Sequence, residues 1–331
     1  MKTGRMTVIA LAPVAVALVL VAVHLSHRGH TAIRSSAGTS SAGTTVSGRP
    51  PTGANAGRGG KCARPDTARR YVGAVIYRPL QMTLPQFTQL TGIRPSIIEY
   101  YVDFGFRFDL ARAALIYRDS AFPLVQIDPY HASLQSIARG RYDKYLRAQA
   151  RAVARFRCPI ALSFGHEMNG VWYKWGLTHV PPAVFIAAWR HIWNVFASAG
   201  VRNVIWTWTA NRVSPPAASP LREWWPGARY VAWVGIDGYY RTPKSTFTQL
   251  FAATLAEVRS FTADPILITE TAVTRKGPQV AQVRNLFQGA HNSGLFGVVW
   301  FNINAKQRWT LVGRPPSVLS EFRKEANWFV R

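Results

Sequence analysis

The chain has 331 residues, of which 48% are hydrophobic, and its 40 Lys and Arg outnumber its 15 Asp and Glu, giving a formal net charge of +25. That length suits one large domain of about 250 residues with a tail. A strongly basic balance is typical of nucleic-acid-binding proteins, but here the basic residues are mostly arginines scattered through predicted helices, and no zinc-finger, homeodomain or RNP pattern occurs. We therefore expect no nucleic-acid partner, and adhesion to an anionic cell-wall or membrane surface instead.

The first residues have the pattern of an export signal. Lys2 and Arg5 precede an uncharged segment, residues 6–26, that is rich in Val, Leu and Ala. A basic start followed by an apolar stretch directs export, and this stretch lies between the length of a signal-peptide core and the roughly 20 residues of a membrane span. Residues 1–25 are therefore predicted to be a signal peptide or a membrane anchor, and the protein to be extracellular, secreted or tethered.

Residues 26–65 are rich in Ser, Gly, Thr and Ala and contain few large apolar side chains. Such a composition cannot offset the conformational entropy lost on ordering, which predicts a flexible linker. Cys62 lies near its end, and Cys158 is the second of only two cysteines. In an exported protein these two could form one disulfide.

From residue 66 to 331 the chain alternates strand-like and helix-like segments, which indicates a parallel sheet covered by helices. An amphipathic segment over 181–199 opens with prolines and ends before Gly200, as helix start and stop rules require. Eight strand–helix units predict a (β/α)8 barrel, and a doubly wound open sheet is the alternative. The predicted strands are 71–77, 96–103, 123–128, 160–165, 204–209, 231–237, 266–270 and 297–301.

The most informative stretch follows the fourth predicted strand. It contains His166-Glu167-Met168-Asn169-Gly170 and then Trp172-Tyr173 and Trp175. A carboxyl group held among aromatic walls can have a raised pKa and act as a general acid. The alternative is a strand-end glutamate paired with one of the many arginines.

Other polar and aromatic side chains also follow predicted strands, and in a barrel these ends meet at the face that carries active sites. Strands four and seven lie opposite each other, so Glu167 and Glu270 are expected to face each other across the cleft. An ion pair between Glu270 and Arg275 is the alternative for this second carboxylate. The full set of candidates is Asp128, His166, Glu167, Asn211, Asp237, Tyr239, Glu270 and Trp300.

The His-Glu-Met-Asn-Gly string with its Trp-Tyr-x-Trp sequel resembles the acid/base motif of glycoside hydrolase family 26, a clan A family of retaining enzymes built on (β/α)8 barrels. The resemblance implies that Glu167 is the acid/base and Glu270 the nucleophile. It also implies that Tyr239 positions the nucleophile. By the same resemblance, His166, Trp172 and Trp300 contact the sugar, with Trp300 as its platform, and Asp237 belongs to the site beside Tyr239. Asn211 and Asp128 are expected to complete the substrate site because of their positions at the ends of predicted strands.

The family further implies hydrolysis of a β-linked hexose polysaccharide, with the two carboxyls about 5–5.5 Å apart. β-1,4-Mannan is the first expected substrate, because it is the one most associated with the family. Asp128-Pro129 stands where mannanases of the family place a histidine, and this departure makes a β-glucan the second expected substrate. No cofactor is expected and no catalytic metal either, since His166-Glu167-x-x-Gly170 lacks the second histidine of a zincin motif. A monomer is expected. The alternative function is a catalytically silent cell-wall or glycan-binding protein on the same barrel.

Tryptophan is abundant, with twelve in the chain, and aromatic faces stack well on sugar rings. Trp189 and Trp193 have the spacing of core residues on one helix. Trp224 and Trp225 precede Pro226-Gly227 and are predicted to lie in an exposed loop that contacts a ligand.

Overall fold

Eight parallel strands close into a barrel in which each strand pairs with its neighbours in the sequence and the eighth pairs with the first. The computed structural model describes residues 62–76, 82–213, 220–304 and 307–331. The strands are β1 Tyr71–Val75, β2 Ile97–Asp103, β3 Phe122–Asp128, β4 Ile160–Phe164, β5 Val204–Asn211, β6 Trp233–Asp237, β7 Ile266–Thr271 and β8 Gly297–Phe301.

Eight helices cover the outside of this sheet. The bounds are α1 Leu84–Thr91, α2 Leu110–Arg118, α3 Leu134–Ala138, α4 Asp143–Phe156, α5 Pro182–Ser198, α6 Ala253–Arg259, α7 Gln279–Asn292 and α8 Pro316–Phe329, all within the described residues. The predicted (β/α)8 fold is confirmed, and the described strand ends lie within two residues of their predicted positions. Residue 77, residues 1–25 and nearly all of the predicted linker 26–65 lie outside the described residues.

The barrel is closed at one end by aromatic side chains. Phe122 and Trp233 are the first residues of β3 and β6, and Phe296 directly precedes β8. Their ring centroids lie 5.8 Å (Phe122 to Trp233) and 4.8 Å (Trp233 to Phe296) apart, and all three are buried. Above them, small and branched residues such as Ala161 and Val299 fill the interior. This apolar plug leaves the opposite end, where the strands finish, for polar chemistry.

Between the sheet and the helices lies a second, larger apolar layer. Helix α5 contributes a stripe at helical spacing that includes Phe185, Trp189 and Phe196, all buried. Trp189 is therefore core, as predicted. The expectation for the loop tryptophans is wrong: Trp224 is fully buried, and Trp225 packs on Trp208 and Phe261. Both rings fill the space between the sheet and the loop rather than facing a ligand.

A disulfide joins Cys62 to Cys158, the pairing expected from the sequence. Cys158 lies between α4 and β4, so the bond fixes the start of the described chain to the end of the barrel that holds the aromatic plug. No helix among the residues described is long and apolar enough to cross a membrane.

Removing this disulfide should lower the free energy of unfolding. The two cysteines are 96 residues apart, and cross-linking a loop of that length stabilises by about 4–5 kcal/mol in the chain-entropy model. Urea unfolding of Cys158→Ser should show a loss of up to that size. The wild-type protein unfolded under reducing conditions is the matched control, and equal stability of the oxidised and reduced proteins would contradict the expectation.

Candidate active site

Glu167 sits on a tight turn that follows β4. Gly165 and Glu167 both have positive φ, 58° and 54°, and such a conformation is uncommon for a residue with a side chain and recurs at functional sites. The turn is held by the Glu167 amide, which donates to the Thr209 carbonyl at 2.9 Å, and by the Trp175 indole, which donates to the His166 carbonyl at 2.8 Å. Neighbouring strand and loop together impose this backbone.

Both carboxylate oxygens of Glu167 accept hydrogen bonds. The Trp172 indole N–H donates to Oε2 at 2.7 Å, and the Asn211 amide donates to Oε1. Asn211 is itself fixed by Asn169, whose amide donates to the Asn211 carbonyl at 2.7 Å and accepts from the Asn211 N–H at 2.8 Å. The side chain of Glu167 therefore has one defined orientation, and the residue is only 7% exposed.

Glu270 lies at the end of β7, also nearly buried, and its two oxygens accept from two tyrosines. The Tyr101 hydroxyl donates to Oε1 and the Tyr239 hydroxyl to Oε2. The alternative ion pair with Arg275 is wrong, because that guanidinium donates instead to backbone carbonyls of the loop after β8. Glu270 is thus held in one orientation by two neutral hydroxyl donors.

His166 lies between the carboxylates of Asp128 and Glu270. Its Nδ1 is 2.7 Å from Asp128 Oδ1, and its Nε2 is 3.0 Å from the Tyr173 hydroxyl and 3.8 Å from Glu270 Oε1. Burial alone would lower the pKa of His166. The charge and hydrogen bond of Asp128, with the charges of Glu270 and Glu167, outweigh it and raise this pKa to about 10. His166 is therefore an imidazolium that donates on both sides.

Burial and the negative charge of Glu270 raise the pKa of Glu167 from its usual value of 4.5 to about 7. The charge of His166 and the hydrogen bonds from Asn211 and Trp172 lower it and only partly offset this rise. At a pH near 7, a carboxyl group with this pKa is about half protonated and can give or take a proton at little free-energy cost. Glu167 has the properties of a general acid/base.

Beneath the two glutamates lies a layer of buried acids. Burial and the charge of Glu270 raise the pKa values of Glu99 in β2 and Asp237 in β6 well above the usual range for carboxyls. Gln126 donates to Glu99 at 2.8 Å and Thr269 donates to Asp237. Placing Asp237 in contact with substrate is therefore a wrong prediction: the side chain is fully buried below Glu270. Being protonated spares both acids the cost of an unpaired buried charge.

Two further expectations for substrate contact are corrected. Trp300 is fully buried and points outward, where its ring meets Phe322 of α8 with centroids 5.3 Å apart, so it is not a platform in the cleft. Asp128 is 1% exposed and binds His166 instead of reaching the cleft. The aromatic residues that lie beside the site at the end of β8 are Phe301 and Trp309. Their ring centroids lie 5.7 and 4.8 Å from that of Tyr239.

The structure brings together the predicted residues Glu167, Glu270, His166, Trp172, Asn211 and Tyr239 and adds three that sequence reasoning missed. These are Tyr101, Tyr173 and Glu99. The signal for two of them is present in β2, where Glu99 and Tyr101 are two residues apart and therefore share a face of the strand. An acid two positions from a tyrosine within an apolar strand indicates a polar interior at this end of the barrel.

Ligand-type atoms of His166, Asp237 and Glu270 lie within 4.8 Å of one another, a spacing that a small cation could bridge. These groups already have other partners, because His166 binds Asp128 and Glu270 accepts from Tyr101 and Tyr239. Asp237 accepts from Thr269 through Oδ1, whereas its buried Oδ2 has no hydrogen-bond partner among the described residues. The absence of a catalytic metal stays a prediction.

The pKa of Glu167 should depend on the charge of Glu270. Carboxyl-carbon NMR of selectively labelled protein should give a value of about 7 in the wild type. In Glu270→Gln the value should fall, because the like charge that favours the protonated form is gone. In Asn211→Ala it should rise instead, since the lost hydrogen bond stabilises the ionised form. An unchanged value in Glu270→Gln would show that the two carboxyls do not interact.

The comparisons with known proteins agree with this geometry. The family model described as glycosyl hydrolase family 26 matches residues 130–282. Endoglucanase H of Acetivibrio thermocellus is 25% identical over 264 residues, 75% of this chain and 29% of that protein. The mannan endo-1,4-beta-mannosidase A and B of Caldalkalibacillus mannanilyticus is 31% identical over 91 residues, covering 25% of this chain and 17% of that protein. This chain therefore spans less than a third of the length of either relative.

Among solved structures, an endo-beta-1,4-mannanase of Cellulomonas fimi in double-mutant form superposes with a TM-score of 0.62 at 17% identity, over 78% of this chain and 71% of that chain. That likeness establishes the fold. The resemblance seen in the motif around Glu167 is confirmed, because residues 130–282, which lie within the barrel, match the model of glycosyl hydrolase family 26.

Proposed function

We propose that this protein is an exported, retaining endo-glycosidase that hydrolyses a β-linked hexose polysaccharide by double displacement. The observation that carries the proposal is a pair of buried carboxyls on opposite strands in different environments. Glu270 is held by two tyrosine hydroxyls, whereas Glu167 has a pKa raised to about 7. Two carboxyls whose environments differ in this way divide the roles of nucleophile and acid.

In the first step Glu270 attacks the anomeric carbon and the bond to the leaving sugar breaks. Glu167, in its protonated form, gives its proton to the leaving glycosidic oxygen. This forms a covalent glycosyl–enzyme ester and releases one sugar chain. The hydroxyls of Tyr101 and Tyr239 fix the direction of the attacking oxygens. We expect the carboxyls to be about 5–5.5 Å apart, the separation that leaves no room for an inverting water.

In the second step Glu167 acts as a base. Once Glu270 is esterified its negative charge is gone, and the repulsion that raised the pKa of Glu167 disappears with it. Glu167, which gave up its proton in the first step, therefore stays ionised, takes a proton from water and directs the resulting hydroxide to the anomeric carbon. The ester bond to Glu270 breaks and the sugar leaves with its original configuration.

The substrate class follows from the relatives. One is named an endoglucanase and another a mannan endo-1,4-beta-mannosidase, which supports a β-glucan or β-1,4-mannan as the polymer cleaved here. The proposed export is supported by the basic and apolar start of the chain, a pattern typical of exported or membrane-tethered proteins. The Cys62–Cys158 disulfide is in keeping with an oxidising compartment.

The proposal predicts release of reducing sugar from at least one polymer in a panel of β-mannan, mixed-linkage β-glucan and xylan. Glu167→Gln and Glu270→Gln should each lower kcat by about 10³-fold or more, because each removes a group that forms or breaks bonds in the transition state. Both substitutions keep the side-chain shape, and unfolding curves like that of the wild type would show that the fold is intact.

Two results would contradict the proposal. One is turnover that survives in either variant. The other is affinity for a polymer without turnover by the wild type, which would establish the silent glycan-binding protein instead.

A further inference from the structure

The segments that directly follow β5, β6, β7 and β8 carry basic residues and no acidic ones, and the first acid of the β5–β6 connection is Glu223. Their sequences, 212–220, 238–247, 272–278 and 302–315, contain no Asp or Glu. These segments are therefore cationic, on a chain whose net charge is +25. The basic residues of these loops are Arg212, Arg241, Lys244, Arg275, Lys276, Lys306, Arg308 and Arg314.

Two of these arginines have structural roles. Arg275 donates to four backbone carbonyls of the loop after β8, including those of Thr310 and Val312. Arg314 is buried and donates to the carbonyls of Val273, Trp309 and Thr310. Both guanidinium groups hold the backbone of this loop in place, and we therefore assign them a structural role instead of a role in ligand binding.

Arg241 lies close to the nucleophile. Its guanidinium carbon is 5.2 Å from the centre of the Tyr239 ring and 5.7 Å from that of the Trp309 ring. Tyr239 in turn donates its hydroxyl to Glu270. Arg241 is exposed, so its guanidinium is open to solvent beside Tyr239. Stacking on two rings restricts the guanidinium and prepares it to bind a ligand.

Arg212 lies close to the acid. It directly follows Asn211, whose amide donates to Glu167, and its own backbone N–H donates to the Asp237 carbonyl at 2.8 Å. Its side chain is half-buried. Burial and the charge of Arg241 both lower the pKa of Arg212, so the two guanidinium groups repel each other. No ion pair joins either of them to a carboxylate within the part of the chain that the structure describes.

We propose that Arg212 and Arg241 bind a carboxylate carried by the substrate, so that the β-glucan or β-mannan hydrolysed here is an acidic one whose β-linked chain also contains uronic acid units. A carboxylate between two guanidinium groups forms charge-assisted, fork-like hydrogen bonds and removes their mutual repulsion. The arginines also offset the repulsion that such a sugar meets from Glu270. This inference rests on the proposed glycosidase function and narrows its substrate class.

The test compares matched oligosaccharides that differ only in charge: neutral β-1,4-linked glucose or mannose oligomers and the same oligomers with C6 oxidised to a carboxylate. Three protein variants are compared. One carries both Arg212→Gln and Arg241→Gln, the second carries both Arg212→Lys and Arg241→Lys, and the control carries only Arg202→Gln. Arg202 is an exposed arginine in the loop before β5, at the opposite end of the barrel, and its variant removes a charge without touching the cleft.

We expect the double glutamine variant to lose about 10- to 100-fold more kcat/KM on the carboxylated oligomer than on the neutral one, the range that charge-assisted hydrogen bonds support. The double lysine variant should recover part of the loss, because it restores charge without the fork. Arg202→Gln should match the wild type on both oligomers. Equal losses on the two oligomers, or no loss on either, would overturn the inference.

A binding measurement separates this inference from the glycosidase proposal. Calorimetry with Glu167→Gln at pH 6, where the neutral amide matches the protonated acid, reports affinity without turnover. Tighter binding of the carboxylated oligomer, lost on adding Arg212→Gln and Arg241→Gln, supports the carboxylate site even for a protein that cleaves nothing. Equal or weaker binding of the carboxylated oligomer would overturn it, whatever the activity.

Discussion

The repulsion between Glu167 and Glu270 in a site closed to water is the interaction on which the rest depends. Both residues are less than 10% exposed, and the charge of Glu270 helps to raise the pKa of Glu167 to about 7. In bulk water the same two charges would affect each other far less. The barrel therefore has to keep one of them negative and let the other hold a proton. It does so by giving Glu270 two hydroxyl donors and by placing Glu167 on a turn with positive φ.

The two ends of the barrel differ in polarity, and this difference determines the surroundings of the Glu167–Glu270 pair. At the end where the strands begin, Phe122, Trp233 and Phe296 exclude water. At the other end, buried Glu99 and Asp237 have raised pKa values, so they add polarity below the pair without adding charge. A charged acid at either position would place a second negative charge directly below Glu270. Neutral acids below and cationic loops above thus favour the negative charge that the mechanism needs.

Much of this was predictable from the sequence, because the strand and helix periods are clear and the motif around Glu167 is distinctive. The direction of side chains was harder to predict. In β8 every residue from Gly297 to Trp300 is buried, so the apolar pattern does not tell which face of the strand meets the barrel interior. Trp300 was placed on the wrong face for this reason. The sequence of β6 does not tell how far below the end of the barrel the Asp237 side chain lies, so the expected contact with substrate is wrong. Tyr101 is not predicted because its hydrogen-bond partner, Glu270, is 169 residues away in the sequence.

The roles of the two glutamates can be tested in one measurement, the anomeric configuration of the products formed from an activated aryl β-oligoglycoside in the presence of azide. In Glu167→Ala the azide takes the place of water on the glycosyl–enzyme, so the account predicts a β-glycosyl azide. In Glu270→Ala the azide occupies the space of the missing nucleophile and attacks the substrate itself, so an α-glycosyl azide is predicted. A β-azide from Glu270→Ala, or an α-azide from Glu167→Ala, would contradict the assignment of Glu270 as nucleophile and Glu167 as acid/base.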